Sequence, residues 1–544
     1  MGAQAAAAQL AVKLLRLCSI GLAALLIGAA PPSARPDDGP AAERIRAHVE
    51  FLADDLLEGR DTGLRGHEIA ANYVASEFRQ LGLTPGGANE SWFVRVPFRR
   101  ATLQGTPRIT LTVGGRATAL AVGTDAAIRP SLADRQLSRS APLVFVGYGI
   151  SDRRLGIDDY AGLDVRGKIA VGLSDPAPGI PGDIASHLAS MQGEVAAAHG
   201  AVGFISIDDP TSAAGDVQRF ATRPVIDWVG RPSSGGVRIA LSAPVADRLF
   251  RGAPMSLQQV RTAAATRKPI KGFNLPARLS VSAKSEWQDF TSPEVVAILS
   301  GADPKLAAEH IVLTGHLDHL GVSKTAKPGE DAIYNGALDN AAGVATLIEA
   351  AREFVQSGKR PRRSVMFIAN TGEEIGLRGA DYFATHPTVP ADSIVGLVDL
   401  DMPLLLYDFT DVVAFGSEHS TIAKAVAEAG KGMGIRVSPD PLPEETLFVR
   451  SDHYPFVKRG VPAVFLMTGF ANGGQQIWRR WLGDTYHSVK DDLGQPIRWG
   501  QGARFAELNY RIARTMADAD QRPMWYAGDY FGETFAPMQP KAHR

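Results

Sequence analysis

Five segments in the second half of this chain each deliver a side chain that can bind a metal. They are Gly315-His316-Leu317-Asp318, Ala337-Leu338-Asp339-Asn340, Gly372-Glu373-Glu374, Asp399-Leu400-Asp401-Met402 and Tyr486-His487-Ser488. Imidazoles and carboxylates in this order describe a hydrolytic site built on two metal ions. A mixed nitrogen and oxygen donor set without thiolate suits Zn²⁺, and Mn²⁺ or Co²⁺ would also be held. Taken singly, each segment has a blander reading: Asp339 or Asn340 as a helix cap, Glu373 and Glu374 as first-turn carboxylates, His487 as a surface residue. Their coincidence with a full ligand set favours the metal.

Such ligands need rigid elements to hold them. From Val295 onward, apolar runs rich in β-branched residues (311–313, 365–369, 394–400 and 461–467) alternate with helical stretches such as 344–354 and 422–429. This alternation predicts an α/β fold, a mostly parallel sheet sandwiched by helices, with the ligands beyond the carboxyl ends of its strands. His316, Glu373 and Asp401 fall there. Near the N-terminus, Ile45, Val49, Leu52 and Leu56 recur at helical spacing, and a second helical stretch covers 67–81. The turn-forming Gly59-Arg60-Asp61-Thr62-Gly63 separates the two. Residues 106–282 change character to short β-type runs broken by Gly and Pro, which predicts an inserted, smaller β-rich α+β domain. The expected division is a signal peptide over 1–34, a catalytic domain over 35–105 and 283–525, the insertion over 106–282, and a C-terminal tail over 526–544 that packs on the surface or frays.

The chain has 544 residues, 45% of them hydrophobic and 21% charged, enough for a sizeable core and more than one domain. With 57 Lys+Arg against 58 Asp+Glu the net charge is -1, so there is no basic footprint for nucleic acid. A peptide substrate is the expected partner. Lys13 and Arg16, followed by the apolar run 19–30 and small residues up to Ala34, read as a secretory signal cleaved after Ala34. The expectation is an exported enzyme, periplasmic or extracellular, with no stable membrane association after cleavage. The single cysteine, Cys18, would leave with the signal.

The chain resembles metallopeptidase family twenty-eight, the co-catalytic zinc aminopeptidases and carboxypeptidases. The residues that carry the resemblance are Gly315-His316-Leu317-Asp318-His319-Leu320-Gly321, Asn335-Gly336-Ala337-Leu338-Asp339-Asn340-Ala341-Ala342-Gly343, Thr371-Gly372-Glu373-Glu374, Asp401-Met402, Ser451-Asp452-His453 and Tyr486-His487-Ser488. The insertion is similar to a protease-associated domain through Val144-Phe145-Val146-Gly147-Tyr148-Gly149-Ile150, Asp158-Asp159-Tyr160 and Gly167-Lys168-Ile169. The resemblance implies a zinc exopeptidase fold of the phosphorylase/hydrolase-like kind and two Zn²⁺ per chain. His316 and Asp401 would hold one ion, Glu374 and His487 the other, and Asp339 would bridge them, followed by a cis peptide to Asn340.

Period alone does not choose between Asp399 and Asp401, which share a face of an extended strand end; the family pattern favours Asp401. Asp318, two residues beyond His316, is expected to accept the other imidazole N–H and fix the tautomer. His319, one residue off that face, is read as supporting or structural. Glu373, adjacent to Glu374, is the candidate general base. The family's usual Tyr three residues before Ser451-Asp452-His453 is here Phe448, so His453 and Arg450 become candidates for oxyanion or substrate contacts. Arg479-Arg480 could read a substrate carboxylate, though exposed solubilising charge is the plainer reading. The function this implies is an aminopeptidase. The alternatives are a dipeptidase or carboxypeptidase of the same family, a mono-zinc glutaminyl cyclase, and a non-catalytic receptor-like binding protein, which would have gaps among the ligands.

Overall fold

A computed structural model describes residues 39–544 apart from 175, 208–216, 218–219, 221–223 and 233–235. The expected signal segment lies outside the described residues. Four parallel strands form the centre of the main sheet in the order Ser364–Asn370, His310–His316, Ile394–Leu400, Ala463–Thr468. Every residue of these four strands is buried. That explains why they read in sequence as unbroken apolar runs: a parallel strand covered on both faces has no polar side to alternate with. Antiparallel strands flank them, Asp411–Phe415 beside Ala463–Thr468 and the end of Phe273–Leu299 beside Ser364–Asn370.

Helices Pro40–Leu52, Ala342–Gln356 and Trp499–Asp518 pack on one another, the last two over His310–His316. A second group, Arg378–Thr385 and His453–Val457, packs together, the latter against Ile394–Leu400 and Ala463–Thr468. All four central strands end on the same edge of the sheet. The loops leaving that edge carry His316, Glu373-Glu374 and Asp401, as strand polarity in such sheets dictates.

Buried residues between Ile109 and Ala283, in the stretch expected to be an insertion, form a core separate from the main one. Its sheet is mixed, with Gly203–Ile207 between Val237–Leu241 and Ile169–Leu173, all parallel. The two sheets are joined without a hinge, because Phe273–Leu299 is one 27-residue strand. Its first half pairs with 136–145 and 108–113 in the insertion, its second half with 93–103 and 365–369 in the main sheet. The C-terminal segment does not fray: Trp525 and Phe531 are fully buried, and Tyr530 reaches Asp152 of the insertion at 2.7 Å. Aromatic burial of that size holds the tail in place.

Candidate metal centre

His316 ends its strand with the ring turned into the sheet edge. Its Nε2 lies 3.1 Å from Asp401 Oδ1 and 3.2 Å from Asp339 Oδ1. The other oxygen of Asp339 faces the opposite way, 3.2 Å from His487 Nε2, which is itself 3.3 Å from Glu374 Oε2. One carboxylate therefore sits between two half-sites, His316 with Asp401 and His487 with Glu374. Asp339 Oδ2 is buried and, among the described residues, has no well-oriented hydrogen bond, although His487 Nε2 lies 3.2 Å away. An orphaned carboxylate oxygen is costly to bury, and a cation at this point would relieve the cost. Two imidazoles and three carboxylates fit zinc as a donor set.

The loop carrying Asp339 is held from three sides. The Asp339-Asn340 peptide is cis, as expected from the resemblance. Asn340 is more than a cap: its Nδ2 donates to Leu400 O at 3.0 Å, while its Oδ1 accepts from Gly343 N at 3.0 Å and Met402 N at 3.1 Å. This clasps the Asp339 loop to the Asp401 loop. Gly343 is required, because a Cβ there would stand 1.9 Å from Asn340 Oδ1.

The structure corrects the role expected of Asp318. His316 Nδ1 donates to the Asp318 backbone oxygen at 3.0 Å, not to its carboxylate. The chain leaves strand geometry after His316, so the two-residue period no longer applies. The carboxylate instead accepts from Glu373 N at 3.1 Å, Glu374 N at 3.4 Å and Thr62 Oγ1 at 2.8 Å, which positions the Glu373-Glu374 turn.

His453 and Arg450 are also corrected as oxyanion or substrate contacts. His453 is fully buried, its Nδ1 3.2 Å from Asp399 Oδ2 and its Nε2 2.6 Å from Phe448 O, so both ring nitrogens are used inside the fold. Arg450 pairs with Glu445 at 3.0 Å on the surface. Phe448 is packed against His419, His453 and Phe531. Asp399 is committed to Ser451 and His453, whereas Asp401 faces His316, which separates two residues that the sequence period left equivalent. Arg479 and Arg480 are exposed.

His319 is closer to the centre than its place in the sequence suggested, with Nδ1 2.6 Å from Glu374 Oε1 and 3.9 Å from Asp339 Oδ2. Three further residues were not singled out for the site from sequence. Asp491, four residues after His487, accepts from Leu338 N at 3.0 Å and Asp339 N at 2.9 Å. Arg60 is fully buried and donates only to backbone oxygens, those of Leu317, Asn335, Gly336 and Leu52. Its position between two glycines, Gly59 and Gly63, marks only a turn. Tyr486 stacks on His487 with ring centroids 3.8 Å apart.

The electrostatics are those of a buried cluster of carboxylates. Burial pushes Glu373 and Glu374 well above the usual carboxylate range, and neighbouring carboxylates add to it. Burial opposes the His316 imidazolium, yet Asp401 and Asp339 outweigh it and raise that ring well above its ordinary value. Asp339 moves the other way: burial opposes its charge, but His319, His316 and His487 hold it below the usual range. Burial lowers Arg60 to about 10, still protonated at neutral pH, with Asp491, Asp339, Asp318 and Glu374 in its field.

Residues 294–513 match the model of Peptidase family M28. That region, which carries the candidate ligands from His316 to His487, is the part of the chain similar to this family. Among curated proteins it is similar to the vacuolar membrane protease of Candida dubliniensis, 34% identical over 106 residues, 20% of this chain and 10% of that protein. That of Lachancea thermotolerans is 29% identical over 107 residues, with the same shares. The match thus spans about a tenth of the length of these relatives. Among solved structures, an aminopeptidase from Aneurinibacillus sp. strain AM-1 aligns over 88% of this chain and 95% of its own, at 20% identity and a TM-score of 0.49. BSAP, a zinc aminopeptidase from Bacillus subtilis, aligns over 87% and 94%, at 17% identity and a TM-score of 0.42.

The names of the curated relatives overturn the expectation of an exported, periplasmic or extracellular enzyme. The physical reason is that a short basic and apolar run marks engagement with a membrane pathway but carries no destination. Among the described residues, no helix is long and apolar enough to cross a membrane.

Proposed function

We propose that the protein is a di-zinc aminopeptidase that removes N-terminal residues from peptides. His316 and Asp401 would hold one ion, Glu374 and His487 the other, and Asp339 would serve both, with His319 bracing Glu374. The observation that carries this reading is the placement of Asp339, one oxygen toward His316 and the other toward His487. Bound there, the two ions would supply Lewis acidity to the scissile carbonyl and bring a water pKa near about 7. Glu373 takes the proton of the attacking water and passes it to the leaving amine. Asp318 fixes the backbone of Glu373, and Asp491 that of Asp339. The Tyr486 hydroxyl, within the electrostatic reach of Asp339, Glu374, Glu373 and Asp401, donates to the developing oxyanion in place of the hydroxyl missing at Phe448.

An aminopeptidase is preferred over a carboxypeptidase or dipeptidase because the arginine buried under the centre does not offer its guanidinium to a terminal carboxylate. Arg60, the buried cation beneath it, spends its donors on carbonyls. Residues 106–282 are read as a protease-associated insertion beside the catalytic domain. The test is hydrolysis of aminoacyl chromogenic substrates beside their N-blocked counterparts, before and after chelation. The expected result is cleavage of the free amines only, abolished by chelator and restored by Zn²⁺. Cleavage of the blocked substrates, or full activity in metal-free protein, would refute it.

A further inference from the structure

A second group of ligand-type residues lies away from this centre, where the insertion meets the catalytic domain. Asp183, on the first turn of the insertion helix Gly182–Ser190, converges on Glu418 and His419, which follow the strand Asp411–Phe415. One ligand atom from each of the three lies within 4.8 Å of the other two. The state of His419 is set by its other nitrogen. Nδ1 sits 2.6 Å from Asp529 Oδ2, and the second oxygen of Asp529 accepts from Gly532 N at 2.9 Å.

With Nδ1 turned to a fixed carboxylate, Nε2 is the ring nitrogen left on the side of Glu418. That nitrogen is buried and has no hydrogen-bond partner among the described residues. Glu418 Oε1, at 3.6 Å, is too far to serve as one. A carboxylate that orients an imidazole whose far nitrogen is left open is the usual support of a metal-binding histidine. The ring is also clamped by Phe448 and Phe531, with centroids 4.6 and 5.1 Å away, so it cannot swing out to solvent without disturbing the packing. Arg544 reaches the backbone oxygen of Glu418, not its carboxylate.

We propose that Asp183, Glu418 and His419 Nε2 form a second metal site, for a divalent transition ion such as Zn²⁺ or Mn²⁺, that ties the insertion to the catalytic domain. One imidazole nitrogen and two carboxylates are a three-ligand set that leaves room for water. Exposed Glu418 gives the ion an entry path, and the ligands come from both sides of the boundary, so binding strengthens the junction. The site is independent of the peptidase centre.

The full-length protein, stripped of metal, is loaded with excess Zn²⁺, desalted and its metal counted by emission spectroscopy, beside His419→Ala and Asp183→Asn. The wild type is expected to retain one equivalent more than either variant, whatever number the peptidase centre holds, with peptide turnover in both variants within about 2-fold of wild type. Asp183→Asn keeps the shape of its side chain on the insertion side, so the count is readable even if His419→Ala folds poorly. Equal metal content in wild type and Asp183→Asn overturns the site.

Discussion

Asp491 receives the backbone N–H of Asp339 at 2.9 Å, so the carboxylate shared by the two half-sites is aimed by a second, fully buried carboxylate. Asp491 also accepts from Leu338 N and from Gln495 Nε2. Replacing it with Asn keeps the volume but weakens these charge-assisted bonds. Asp491→Asn is expected to bind zinc about 10–100-fold more weakly, the usual effect of losing a group that orients a ligand. Competition with a chromogenic chelator measures this, and turnover should recover at high zinc. An unchanged affinity would mean that the Asp339 loop is held well enough by Asn340 alone.

Glu373 and Glu374 are adjacent but are assigned different work. Glu373→Gln should keep its metal and fold yet lose turnover by roughly 10²-fold or more, the scale of a lost general base. Glu374→Gln should lose metal as well, because its carboxylate faces His487 and His319. Metal content and kcat of the two purified variants decide the matter; the opposite pattern reverses the roles.

Tyr486→Phe removes one hydroxyl and leaves the ring that stacks on His487. If that hydroxyl meets the oxyanion, kcat falls about 10²-fold or more with KM nearly unchanged, as for a donor used only in the transition state. A change confined to KM would place Tyr486 in substrate binding.

His187 gives a pH-dependent prediction away from the metal centre. It is buried in the insertion helix, receives the Tyr454 hydroxyl at 2.6 Å on Nδ1, and is lowered to about 4, first by burial and then by Lys458. A folded pKa below the unfolded one means that the unfolded chain binds the proton more readily. The stabilisation is therefore full above the ordinary value of about 6.5 and is lost as pH falls from there toward 4. The whole effect is about 3 kcal/mol. Thermal unfolding followed between pH 7 and 4 should show a steeper fall in Tm for wild type than for His187→Gln, whose side-chain oxygen can still accept from Tyr454. Parallel curves would show that His187 does not drive the loss.

The layered α/β fold could be read from the sequence, and the residues proposed as ligands came from it together with the family resemblance. Parallel strands buried on both faces leave an apolar signature that survives without coordinates, and 394–400 reads the same in sequence and in structure. His316, Asp339, Glu374, Asp401 and His487 were legible because their chemical types recur at strand ends in one order. Which atoms face one another depends on how distant segments pack. Asp318 has two acceptors in reach of different donors, its backbone oxygen and its carboxylate, and only the turn after His316 sends the first to the imidazole and the second to the Glu373-Glu374 loop. His453 looked available because nothing in the sequence says that Asp399 and Phe448 occupy both its nitrogens. Arg60 and Asp491 lie 257 and 152 residues from the backbone groups of Leu317 and Asp339 that they hold. Local patterns report periodicity and short-range propensity, whereas a buried charge is matched to its partners by the packing of distant segments, which no window of sequence contains.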